Sequence, residues 1–304
     1  MTPPVDALMQ ELDPSVGALV SRHLETTREW FPHAMVPYSR GRDFVEGEEW
    51  SADDSPLPDA VRSALLVNLL TEDNLPYYYH SISGFGGSEA WQEWSRRWTA
   101  EEGRHAIVIR DYLTVTRAID PVALERARMH QVSGGIVPET ESAADGLAYV
   151  TMQELATRIA HRNTGQLLDD RPGTAIMSRV AADENLHYLF YRDLATTALE
   201  IDPSAMVIAI DRQVRDFAMP GTGIIDFEAH AKLIASVGIY DFSQHHDQIL
   251  VPVVLRHWKI AELEGLSPEA EEARERLLAF IARLGKIAKR IADRRAEQLA
   301  TTSA

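Results

Sequence analysis

Two short runs carry residue types suited to metal chemistry, Glu101-Glu102-Gly103-Arg104-His105 and Asp183-Glu184-Asn185-Leu186-His187. In each, a glutamate and a histidine lie three apart, so on a helix both project from one face. A carboxylate and an imidazole side by side can hold one metal ion jointly. Thirty residues before each run stands another glutamate, Glu72 before Glu102 and Glu154 before Glu184. Two helices giving one Glu each and two giving Glu-x-x-His form the ligand set of a carboxylate-bridged di-metal centre in a four-helix bundle. A chain with 11 His and 46 acidic residues should show about one Glu-x-x-His by chance. Here there are two, and each has a second acid directly before its glutamate.

The elements that must position these residues read as helices throughout. Apolar residues at three- and four-residue spacing predict long helices over 58–83, 88–118, 145–168 and 173–199, which carry Glu72, Glu102 with His105, Glu154, and Glu184 with His187. Flanking helices are expected at about 6–30, 121–133, 203–218, 227–237, 243–260 and 268–299. Asp13-Pro14, Asp120-Pro121, Asp202-Pro203 and Ser267-Pro268 each read as a capping residue followed by proline at the first helical position. Pro32 should break the first helix. Pro76, four residues after Glu72, should remove a backbone bond and bend the helix beside that ligand. A bend there would make room for something long next to the metals. The stretch 133–141, with Gly134 and Gly135, reads as the loop between two related helix pairs. The fold class is all-α, and one domain over 1–304 is expected, with its core bundle at about 58–199 and flanking helices over 6–30 and 203–299.

Composition narrows the function. No cysteine is present, which excludes disulfides, thiolate metal sites and cysteine nucleophiles, while a carboxylate–imidazole centre needs no sulfur. A net charge of −16 argues against general nucleic-acid binding. The amino terminus lacks a signal-peptide pattern and no run approaches membrane-spanning length, so a cytoplasmic protein without membrane insertion is expected. The last helix is locally basic, with Arg283, Lys286, Lys289, Arg290, Arg294 and Arg295 against Asp293 and Glu297. That stretch reads either as a solvated face or as a docking patch for an acidic partner.

Several neighbours of the ligands have two readings each. Thr157, one turn past Glu154, can bond back to a helical carbonyl or donate into the metal pocket. Glu101 and Asp183, four before the histidines, can accept the far N–H of a ligating imidazole, and Arg104 can neutralise either acid. Trp98 packs in the core or joins an electron path. Trp30 reads first as a packing residue.

Taken in order, the runs Trp30-Phe31-Pro32, Thr71-Glu72-Asp73-Asn74-Leu75-Pro76, Arg97 to His105, Gln153 to Thr157, His161 to Gly165 and Ala181 to His187 resemble the soluble acyl-carrier-protein desaturases. The resemblance covers about residues 15–265 and is similar above all to the actinobacterial branch. It implies a ferritin-like bundle in which Glu72, Glu102, His105, Glu154, Glu184 and His187 ligate two iron ions, with Glu102 and Glu184 bridging. It also implies that Thr157 stands near the oxygen-binding face, and that Trp30 and Asp183 lie on an electron route through His105. Gly103 departs from the family, which usually has Asn there. The implied activity is insertion of a cis double bond into a saturated acyl chain on acyl carrier protein, using oxygen and ferredoxin electrons, in a homodimer. Carrier docking is expected at the basic last helix with Arg212 and Arg215. Hydroxylation of such a chain by the same site, or a ferritin-like iron-handling role, are the alternatives, and manganese fits the same ligands.

Overall fold

The computed structural model describes residues 7–302 apart from 139 and 222, with side chains described as far as residue 293. In chain order the helices are α1 (Ala7–Thr26), α2 (Pro32–Met35), α3 (Asp59–Asp73), α4 (Leu75–Ser83), α5 (Glu89–Val115) and α6 (Pro121–Gly134). They continue with α7 (Ala143–Gln166), α8 (Arg171–Ile201), α9 (Pro203–Arg215), α10 (Phe227–Ser236), α11 (Phe242–His245) and α12 (Pro268–Thr302). A π-helix over His246–His257 extends α11. Among the described residues there is no strand.

Helices α3, α5, α8 and α7 form a closed ring, with α3 on α5, α5 on α8, α8 on α7 and α7 back on α3. This is the ferritin-like four-helix bundle that the ligand spacing calls for. Capping sets where the long members begin. Ser88 accepts from the backbone N–H of Trp91, Ser142 from Asp145, and Asp170 from Gly173, each satisfying a donor with no partner inside the helix. Asp120, Asp202 and Ser267 cap α6, α9 and α12 as expected from their prolines.

Two proline readings need correction. Pro14 does not open a helix but sits inside α1. The stripe Met9, Leu12, Val16, Val20 and His23 is buried against the bundle, and that packing outweighs the one lost backbone donor. The first helix also ends at Thr26, before Pro32, which instead opens α2. The intervening segment turns Trp30 inward, to 8 % exposure.

At Pro76 the helix divides rather than bends. Asn74 separates α3 from α4, and Pro76 occupies one of the first two positions of α4, where its missing N–H costs nothing. The division falls directly after Glu72. Asn74 is buried and donates its amide to the Ile136 carbonyl at 2.8 Å, tying the break to the loop between the halves. In that loop Gly135 has φ +62°, and a Cβ there would lie 2.3 Å from the Tyr77 ring. Only glycine meets both demands.

Candidate metal centre

The repeated motif converges at the middle of the bundle. Glu72 from α3, Glu102 and His105 from α5, and Glu184 from α8 bring ligand atoms within 4.8 Å of one another, and so do Glu102, Glu154 from α7, Glu184 and His187. Glu102 and Glu184 belong to both groups. All six residues are buried. Glu102 spans the two histidines, with Oε2 3.0 Å from His105 Nδ1 and Oε1 2.8 Å from His187 Nδ1. The sequence therefore named the six residues that meet.

Burial of four carboxylates in one pocket is unfavourable unless positive charge joins them. Burial and the Glu184 charge push Glu102 up to about 7 and hold Glu154 well above the usual carboxylate range. Burial acts upward on Glu72 and Glu184 too, but hydrogen bonds from His105 and His161 outweigh it and keep both below that range. Glu154 Oε2 and His187 Nδ1 are sealed from solvent with no aligned hydrogen bond, the nitrogen having a close ion-pair contact with Glu102. Such orphaned atoms, aimed at one point, fit a metal ion. The four carboxylates also match the charge of two divalent cations, and the oxygen-rich, two-imidazole set suits iron or manganese. These buried clusters can hold metal.

Because the metal-free pocket keeps a proton on Glu102 up to about pH 7, loading must displace it. Apparent affinity for manganese is expected to fall as pH drops through 7. Competition titrations at pH 6 and pH 8 check this, with weaker binding expected at pH 6.

The outer acids act across the bundle, not along their own helices. Glu101, on α5, lies 3.0 Å from Nε2 of His187 on α8, and Asp183, on α8, lies 3.5 Å from Nε2 of His105 on α5. Each doublet thus supplies a ligand and orients the other helix's imidazole. Trp30 Nε1 donates to Asp183 at 2.6 Å, and its ring stacks 6.4 Å from His105. Arg104 covers the Trp30 ring at 4.9 Å and reaches 3.7 Å from Asp183 and 3.9 Å from Glu101. Asp183 also pairs with Arg179, and Glu101 with Arg97 at 2.6 Å.

Thr157 has an acceptor for each of its two readings, and its one proton serves one of them at a time. Its hydroxyl lies 3.0 Å from the Glu154 carbonyl and 3.0 Å from Glu184 Oε2. Trp98 is a core residue whose Nε1 donates to Glu154 Oε1 at 3.0 Å. Two participants were missed. His161 places Nε2 3.2 Å from Glu72 Oε1; its spacing of seven from Glu154, on the same face, was the available signal. His23 Nε2 lies 2.9 Å from Glu101, but it comes from α1, and no local pattern marks it.

Gly103 sits on α5 between the ligands, and a Cβ there would meet only Leu75 at 3.9 Å. Gly103→Ala is therefore expected to stabilise the fold by about 0.5–1 kcal/mol and to leave metal content unchanged, as read by urea denaturation and metal analysis.

Two cavities reach the cluster and share Thr71, Glu72 and Thr157. One lies between α4, α5 and α7 and is lined by Leu75, Tyr78, Ile82, Phe85 and Tyr149. The other lies beside α10 and is lined by Asn68, His161, Met219, Phe227 and Tyr240. The Phe85 ring closes on Gly146, where a Cβ would lie 2.3 Å away.

A family model described as fatty acid desaturase matches residues 6–304. The chain belongs to the fatty acid desaturase family. It is 40% identical over 285 residues to a Mycobacterium tuberculosis protein designated an acyl-[acyl-carrier-protein] desaturase, DesA1, covering 90% of this chain and 84% of that one. It is 30% identical over 293 residues to the chloroplastic stearoyl-[acyl-carrier-protein] 9-desaturase 6 of Arabidopsis thaliana, covering 90% and 73%. The X-ray structure of the M. tuberculosis protein designated DesA2 superposes with a TM-score of 0.72 at 30% identity, covering 88% of this chain and 99% of that one. As a member of this desaturase family the protein is an oxidoreductase. Among its described residues no helix is long and apolar enough to cross a membrane.

Proposed function

We propose that the protein is an acyl-[acyl-carrier-protein] desaturase that places a cis double bond in a carrier-bound saturated acyl chain. The observation that carries this is the junction of two largely apolar cavities at Glu72 and Thr157, on the wall of the buried carboxylate–histidine cluster. Glu72, Glu102, His105, Glu154, Glu184 and His187 would hold two iron ions, with Glu102 and Glu184 shared between them. When bound, a di-iron centre supplies the oxidation of the chain by oxygen. The balance is one dioxygen, two electrons and two protons for one double bond and two waters.

The protein's part is to bind, orient and keep water out. The bent passage seats an alkyl chain across the cluster, and Tyr78 and Tyr149 donate to the carbonyls of Pro220 and Ala218 at 3.0 and 3.2 Å, pinning the segment between the arms. Trp30, Asp183 and His105 form a contiguous route from the α2 side, where Phe31 is 49% exposed, suited to electrons from a ferredoxin.

The carrier would dock beside α12. Gly285 packs on His246, the adjacent His245 lies 2.9 Å from the Tyr240 hydroxyl, and Tyr240 lines the second cavity. Lys286, Lys289 and Arg290 are exposed there and suit an acidic carrier. Arg294 and Arg295 lie outside the described side chains. Arg212 and Arg215 are already neutralised, by Glu141 with Asp145 and by Asp211, so the docking surface narrows to α12. A homodimer is supported by Val122 and Met129, one heptad apart on α6 and 55% and 60% exposed.

A single turnover with iron-loaded, chemically reduced protein, oxygen and a panel of saturated acyl-carrier proteins tests the reading. Loss of two hydrogens from the chain is expected in the mass spectrum. Gain of oxygen would move the function to hydroxylation, and an unaltered panel would favour iron handling.

A further inference from the structure

The two unshared carboxylates of the cluster are each held by one nitrogen outside the six-residue set. Trp98 Nε1 donates to Glu154 Oε1 at 3.0 Å, and His161 Nε2 stands 3.2 Å from Glu72 Oε1. The two carboxylates are equivalent in the repeat, yet the residues that hold them are of different types and come from different helices. His161 also approaches Glu184 Oε1 at 3.6 Å, while Thr157, from the same face of α7, holds Glu184 Oε2 at 3.0 Å. The histidine is 1% exposed, its Nδ1 has no partner, and it belongs to none of the three clusters of possible ligands among the described residues. Its only described polar partners are therefore these carboxylates.

We infer that His161 is a positioning residue for Glu72, engaging Oε1 and so fixing the orientation in which the carboxylate would meet a metal ion. Glu72 needs such a hold. It stands one residue before the last position of α3, and the helix breaks at Asn74, so the backbone beyond it gives less support than the unbroken α7 gives Glu154. Both cavity arms also open on Glu72, which places its free side against the substrate passage. Trp98 performs the same office for Glu154 from within a continuous helix.

This inference rests on the dinuclear reading above, and a cobalt titration of the full chain separates the two. The wild type should take up two Co²⁺ ions. His161→Phe should still take up two, with affinity at one site lower by roughly 10–100-fold and that ion's ligand-field bands shifted. His161→Gln, which restores an N–H donor, should recover most of the loss. Trp98→Phe should weaken one site similarly, and the double variant both. A wild type with two ions and an unchanged His161→Phe overturns the positioning role alone. Loss of one ion in both His161→Phe and His161→Gln overturns it in favour of direct ligation. A wild type binding fewer than two ions overturns the dinuclear reading and this role with it.

Discussion

Glu102→Gln is expected to abolish turnover, by roughly 10³-fold or more, and to invert the effect of metal on stability. Glu102 contacts both histidines and belongs to both groups of possible ligands, so on the proposed dinuclear reading its loss removes one of the two carboxylates shared between the ions. In the metal-free chain the same residue is a burden. Burial and the Glu184 charge raise its folded pKa to about 7, above its unfolded value. Its contribution is therefore fully present below the unfolded value and is lost as pH rises through 7. At pH 8 the neutral amide relieves that cost, so the metal-free variant should melt above the metal-free wild type. Adding iron or manganese should reverse the order, because ligand at a hundred times its dissociation constant adds about 2.7 kcal/mol per site. Melting curves of both proteins with and without metal check this. A wild type whose melting temperature ignores metal would contradict it.

Phe85→Ala is expected to lengthen the preferred acyl chain. The Phe85 ring fills the space that a side chain at Gly146 would occupy, and it stacks on Trp91 at 6.2 Å between centroids. It thereby closes the arm that begins at Glu72. Each methylene accommodated or refused in such a pocket changes kcat/KM by about 10- to 200-fold. Removing the ring should raise the ratio of longer to shorter chains by one such step or more, with the position of the double bond counted from the carrier end unchanged. Competition between acyl-carrier proteins differing by two carbons reads the ratio. An unchanged ratio would show that the chain does not end at Phe85.

The six residues that meet were legible because their pattern is local and repeated. Glu-x-x-His is fixed by one helical turn, and the thirty-residue spacing recurs, so the six residues could be named before any packing was known. The division after Glu72 was legible as a defect because a proline in a helical run has few outcomes. What was not legible depends on which helices face each other. Glu101 and Asp183 were readable as partners of a histidine, but their pairing with the opposite helix's histidine follows from α5 lying against α8. His23 joins through α1, a helix with no metal motif. The same limit explains Pro14, where a proline preceded by aspartate reads locally as a helix start, and only the buried stripe of α1 shows otherwise. Cavity shape was least accessible, since Phe85 and Gly146 are sixty-one positions apart in sequence.

On the proposed reading, one carboxylate–histidine cage holds two bridged iron ions. Mössbauer spectroscopy of the oxidised, iron-reconstituted chain in an applied field tests it most directly, together with iron analysis. Two irons per chain with a diamagnetic ground state are expected, because carboxylate-bridged ferric ions couple antiferromagnetically. One iron per chain, or two magnetically isolated ferric ions, would contradict a bridged di-iron centre.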